Sequence, residues 1–126
     1  MYSLNATILI STELATPQMS NNTLKKILHY INKHYNENLT LTSIAEHFGF
    51  STSYITKLFR NFLGKGTVDY INDLRLTAAC EYLISSNYSI GEISNKIGYT
   101  NQYYFNRLFK KKYGVTPKDF RKSKNL

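Results

Sequence analysis

With 126 residues, 42% hydrophobic and 19% charged, the chain suits one compact domain or two very small subdomains sharing a helix, and its composition excludes disorder and a membrane span. The net charge is +8, and between Arg107 and Lys124 eight basic residues face a single acid, Asp119, which points to a polyanionic partner.

In chain order, residues 1–20 come first and are read as a leader or as the remnant of an upstream sensor or dimerisation domain. Leu24, Ile27, Leu28, Ile31 and Tyr35 then recur at helical spacing, and predict a helix capped by Asn22 or Thr23. Leu41, Ile44, Ala45 and Phe48 form the single apolar face of a short second helix, capped by Thr40 or Thr42 and stopped by Gly49. Ala45 is small enough for the next helix to cross closely. That helix, about residues 51–62, has Ser51 as its cap and Ile55, Leu58, Phe59 and Phe62 as its stripe.

Residues 67–85 predict a linker helix with Ile71, Leu74, Ala78 and Tyr82 along one face. Ser89 opens a further short helix carrying Ile90, Ile93 and Ile97, and Gly98 ends it. Phe105, Leu108 and Phe109 lie on its successor, about residues 101–113, and Pro117 starts a terminal helix through Phe120 and Arg121. No strand is expected in residues 21–126. The predicted fold is all-α with about seven helices: subdomain one about 21–66, linker helix about 67–85, subdomain two about 86–124.

These elements contain a duplication. Leu41-x-x-Ile44-Ala45-x-x-x-Gly49-Phe50-Ser51 returns 49 residues later as Ile90-x-x-Ile93-Ser94-x-x-x-Gly98-Tyr99-Thr100. After one inserted residue the offset is 50, and Tyr54-Ile55-x-Lys57-Leu58-Phe59-Arg60 matches Tyr104-Phe105-x-Arg107-Leu108-Phe109-Lys110. Each copy reads as helix, tight turn, helix.

A helix-turn-helix uses its first helix to brace the second, whose outer face enters the DNA major groove. Outside the apolar stripe, copy one leaves Thr52, Ser53, Thr56, Lys57 and Arg60, and copy two leaves Gln102, Tyr103, Asn106, Arg107 and Lys110. Asparagine and glutamine can pair with adenine, and arginine or lysine with guanine, so copy two is the better equipped. Any surface helix shows a polar face opposite an apolar one, but two such units with Lys57 and Arg107 at the matching place favour DNA over plain solvation. The aromatic residues Phe50, Tyr54, Phe59, Tyr99, Tyr104 and Phe109 read as core rather than as base-stacking platforms.

Residues from about Leu24 to Arg121 resemble the DNA-binding domain of the AraC/XylS family of bacterial transcription regulators. The resemblance is carried by Leu41-Thr42-Ser43-Ile44-Ala45, Gly49-Phe50-Ser51, Tyr54-Ile55 and Lys57-Leu58-Phe59, and in the linker by Arg75, Ala79 and Leu83. Later come Ile90-Gly91-Glu92-Ile93, Ile97-Gly98-Tyr99, Asn101-Gln102-x-Tyr104-Phe105-x-Arg107-Leu108-Phe109-Lys110-Lys111 and Gly114-Val115-Thr116-Pro117-x-x-Phe120-Arg121.

The resemblance implies two homeodomain-like three-helix subdomains, recognition helices in successive major grooves of double-stranded DNA, and contact with RNA polymerase. It places base contacts on Ser53, Thr56 and Lys57, and on Gln102, Tyr103, Asn106 and Arg107. Arg60, Lys110, Lys111 and Lys122 are expected on phosphates. Ser94 stands where the family has a small apolar residue, and Ser53 and Thr56 are short, so the first recognition helix is expected to rely on Lys57, Arg60 and backbone contacts.

Other functions find little support. Cys80 is the only cysteine, so no intrachain disulfide forms, and His29, His34 and His47 without a second thiolate make a poor zinc set. No catalytic triad, paired carboxylates or phosphate loop stands out: Gly64-Lys65-Gly66-Thr67 lacks the upstream glycine of a nucleotide-binding loop, and Glu46-His47 is isolated. No enzyme, cofactor or metal is therefore expected. The apolar run Ala6 to Ile10 is too short for a bilayer and follows no basic cluster, so no membrane association and a cytoplasmic location are expected. The rival reading is a helical protein-interaction module without DNA binding.

Overall fold

The computed structural model describes residues 17–124. Among them are seven helices and no strand: α1 (Pro17–His34), α2 (Leu41–Phe48), α3 (Thr52–Leu63), α4 (Thr67–Ser85), α5 (Ile90–Lys96), α6 (Gln102–Tyr113) and α7 (Pro117–Lys124). None of these helices is long and apolar enough to cross a membrane. The described residues form two compact units, one of residues 17–34 with Leu39–Ile71, the other of Tyr35–Asn38 with residues 72–124. The division therefore falls within the linker helix.

Short-range chemistry sets most helix ends. The Thr40 Oγ1 accepts from the Ser43 N–H at 3.0 Å while the Ser43 Oγ accepts from the Thr40 N–H at 3.0 Å, a reciprocal cap that pairs two otherwise orphaned donors. Ser89 and Glu92 repeat it at α5, and this bonding holds the Glu92 carboxyl below its ordinary range. Ser51 caps α3 through the Tyr54 N–H, Asn101 caps α6 through the N–H groups of Tyr103 and Tyr104, and Thr116 caps α7 through that of Asp119.

Both short helices end alike. Phe50 N–H reaches back to Ala45 O and Gly49 N–H to Glu46 O; Tyr99 N–H and Gly98 N–H make the corresponding bonds to Ser94 O and Asn95 O. This double bond pattern needs a left-handed residue at its corner, and Gly49 (φ 73°) and Gly98 (φ 105°) supply it. The residue inserted in copy two thus lies after the shared corner: Thr100 separates Tyr99 from the cap Asn101, whereas Ser51 follows Phe50 directly.

In the first unit α2 and α1 pack on α3, burying Leu24, Ile27, Ile44, Ile55 and Phe59. In the second, Leu76, Ala79 and Leu83 of α4 join Ile93, Ile97, Phe105 and Phe109 in one core, with Phe120 edge-on to Phe109. Each leucine, isoleucine or phenylalanine side chain among these contributes about 1.5–3 kcal/mol on burial.

Four expectations need correction. The first helix already covers Pro17–His34, so Asn22 and Thr23 are interior positions rather than its cap, and residues 17–20 belong to α1 rather than to a leader. The remainder of that leader lies outside the described residues. Phe62 is 41% exposed, because the last turn of α3 overhangs the core. In α4 the buried positions are Thr67, Ile71, Arg75, Leu76, Ala79 and Leu83, with Leu74, Ala78 and Tyr82 only half-buried. A single stripe failed there because this helix contributes to both cores.

The same helix also buries a charged side chain. Arg75, 8% exposed, donates from Nε to Tyr35 O at 2.7 Å and from Nη2 to Glu37 O at 2.9 Å, and lies 4.9 Å over the Tyr99 ring. Burial pulls its pKa below the ordinary arginine value. Arg121 likewise turns inward, donating to Leu83 O, Tyr88 O and Ser86 O, and so serves carbonyls in the last turn of α4 and the loop that follows it. It leaves the basic surface to which its sequence position had assigned it.

Candidate nucleic-acid interface

The outer faces of α3 and α6 are built the same way: a capped first turn, an apolar side fixed in a core, and polar residues at three- and four-residue intervals opposite. On α3, Ser53, Lys57 and Arg60 are exposed and Thr56 is half-buried. On α6, Gln102, Tyr103, Arg107, Lys110 and Lys111 are exposed and Asn106 is half-buried. Within each unit, all the residues expected from sequence on bases therefore share one helix face. Lys122 is exposed on α7.

The two faces differ in reach. Ser53 and Thr56 end one or two bonds from the helix, leaving Lys57 and Arg60 as the long side chains of α3. Helix α6 presents Tyr103 at 79% exposure beside Arg107. Gln102 folds back toward α5, where a Cβ on Gly91 would stand 2.9 Å from its Oε1. Asn106 has its Oδ1 shut off from solvent and without a hydrogen-bond partner. Paired bonding to adenine needs both amide atoms free at the groove, and in this rotamer the Asn106 Oδ1 is not.

Electrostatically, Lys110, Lys111 and Lys112 fill the last turn of α6, where cations meet the negative end of the helix dipole. Lys112 stays exposed but is paired at the surface, its Nζ 2.7 Å from the Asp73 carboxylate. With Arg121 turned to backbone carbonyls, two of the eight clustered basic residues are engaged within the protein. Among the described residues no three His, Cys, Asp or Glu side chains gather as metal ligands would.

Of the six aromatic residues expected in the core, Phe59, Phe109, Tyr54 and Tyr99 are buried and Phe50 is half-buried. Tyr104 is not: it is 37% exposed, with the Arg107 guanidinium carbon 5.8 Å from its ring centroid. The repeat hid this, because its counterpart Tyr54 is 5% exposed. The available signal was the three-residue spacing of tyrosine and arginine on one helix.

Comparison with known proteins agrees with this architecture. Residues 44–123 match the family model of a helix-turn-helix domain. The chain is 34% identical over 109 residues to the regulatory protein PocR of Salmonella typhimurium, covering 86% of this chain and 36% of that protein. It is 40% identical over 100 residues to the bifunctional transcriptional activator/DNA repair enzyme AdaA of Bacillus subtilis, covering 79% and 47%. The chain thus spans between a third and a half of the length of these relatives. Among solved structures, the C-terminal domain of AraT, a response regulator from Geobacillus stearothermophilus, superposes with a TM-score of 0.80 at 30% identity, covering 90% of this chain and 91% of that one.

Proposed function

We propose, on the premise that this chain belongs to the AraC/XylS family of helix-turn-helix transcription regulators, that it binds double-stranded DNA sequence-specifically to regulate bacterial transcription. Helices α3 and α6 are its recognition helices and enter successive major grooves. Ser53, Thr56 and Lys57 of α3 and Gln102, Tyr103, Asn106 and Arg107 of α6 meet base edges; Arg60, Lys110, Lys111 and Lys122 meet phosphates. RNA polymerase and an upstream sensor or dimerisation domain are its further partners, and the cytoplasm is its place of action. It needs no catalytic group of its own.

The observation that carries this reading is the doubled, outward-facing cation: Lys57 and Arg107 occupy equivalent places on two second helices, and both are exposed. Solvation accounts for one such face but gives no reason for a matched pair on two braced helices. Four phosphate contacts give a log K versus log [salt] slope of about −3.6, at about −0.9 per phosphate neutralised. Titration of a random-sequence duplex, then of a selected one, between low and physiological salt measures it. A slope near zero contradicts DNA binding and favours an apolar-groove interaction module.

A further inference from the structure

We propose that Tyr104 is a positioning residue for base reading: its ring holds the Arg107 guanidinium in an orientation ready for guanine. This rests on the reading of α6 as a recognition helix and assigns a role to a residue outside the expected contact set.

Tyr104 is itself held at several points. Its backbone N–H caps onto the Asn101 Oδ1 at 3.1 Å. Its ring stands edge-on to Tyr99, with centroids 5.7 Å apart and planes at 72°. Tyr99 is buried, stacks on Phe105 and donates its hydroxyl to the Asn72 Oδ1 at 2.6 Å. The exposed ring of Tyr104 is thus anchored through a buried one, and Arg107, one helical turn on, lies over it at 5.8 Å.

A cation within about 6 Å of an aromatic face is attracted by the ring quadrupole. Contact through the guanidinium's flat face leaves its in-plane N–H groups available for the two acceptors of guanine, N7 and O6. An arginine restrained in this way loses less rotamer freedom when it meets the base. Copy one lacks the device: Tyr54 lies in the core, and lysine, at position 57, has no planar fork to orient. The inference therefore assigns the stronger base discrimination to α6.

The test begins with selection from a random 30-base-pair duplex pool by the full chain. The four base pairs at the position whose preference Arg107→Ala abolishes are then compared. Tyr104→Leu and, as a second variant of an exposed helix position, Tyr104→Gln are expected to reduce guanine preference there roughly two- to five-fold, the size of an exposed cation–π contact. Tyr104→Phe, which keeps the ring, retains it, and neither change has a further effect at that position in an Arg107→Ala background. Equal weakening on all four base pairs, or full additivity with Arg107→Ala, overturns the proposal while leaving DNA binding intact. Failure of the wild-type chain to enrich any sequence overturns the reading on which it rests, and the proposal with it.

Discussion

Gly98→Ala probes the corner where the second unit joins its turn to a buried cation. At φ 105° an L-residue is strained by about 1–2 kcal/mol. The added Cβ would lie 2.9 Å from the Arg75 Nε and 2.9 Å from the Tyr35 carbonyl oxygen. Those two atoms are donor and acceptor of one bond, 2.7 Å apart, so neither retreats without stretching it. A hydrogen bond from a charged group contributes about 1.5–3 kcal/mol. The expected destabilisation is therefore about 2.5–5 kcal/mol, a large part of the ~5–15 kcal/mol available to a domain. Gly49→Ala is the control: its φ is 73° but nothing lies within 4 Å of the added Cβ, so strain alone, about 1–2 kcal/mol, applies. Urea unfolding followed by circular dichroism suits a protein without tryptophan. Costs within about 1 kcal/mol of each other would refute the clash at Arg75.

Arg107→Ala is expected to weaken specific binding by about 1–3 kcal/mol and relax preference at one or two base pairs; competition among duplex variants reads both, and unchanged site preference removes it from the base-reading set. Lys111→Ala or Lys122→Ala should weaken all sequences alike and make the salt slope shallower by about 1. Ser89→Ala breaks the reciprocal cap of α5 and should cost about 1 kcal/mol in thermal unfolding, whereas a neutral result would show the cap to be dispensable. Burial, above all, pushes the hydroxyls of Tyr99 and Tyr113 up to about 12, against about 10 in an unfolded chain. The folded state then holds protons that the unfolded state releases, so stability is full below about pH 10 and falls as pH rises toward 12. Both tyrosines belong to the second unit, which is expected to melt first in alkali; urea midpoints unchanged from pH 9 to 12 would contradict this.

What the sequence disclosed followed the range of the interactions involved. Thr40, Ser51, Ser89, Gly49 and Gly98 act on neighbours within a few residues, and their roles as caps and corners could be read directly. The buried face of α4 could not, because burial depends on what packs there from elsewhere. Helical periodicity chose Leu74, Ala78 and Tyr82, whereas the family resemblance marked Arg75, Ala79 and Leu83, all of which are inside or nearly so. Arg75 and Arg121 find their acceptors 33–40 residues away, so composition could register them only as charge. Tyr104 was obscured by its own repeat partner, since a duplicated sequence need not have duplicated surroundings. The expected contact residues, in contrast, follow from helix geometry and sit together on their helices.

Footprinting with dimethyl sulfate and hydroxyl radicals on a selected duplex asks most directly whether both recognition helices read DNA. A single chain should protect two major-groove segments about 10–10.5 base pairs apart on one face of the duplex, with Arg107→Ala exposing one segment and Lys57→Ala the other. One protected segment, two on opposite faces, or a pattern indifferent to both substitutions would contradict the tandem arrangement.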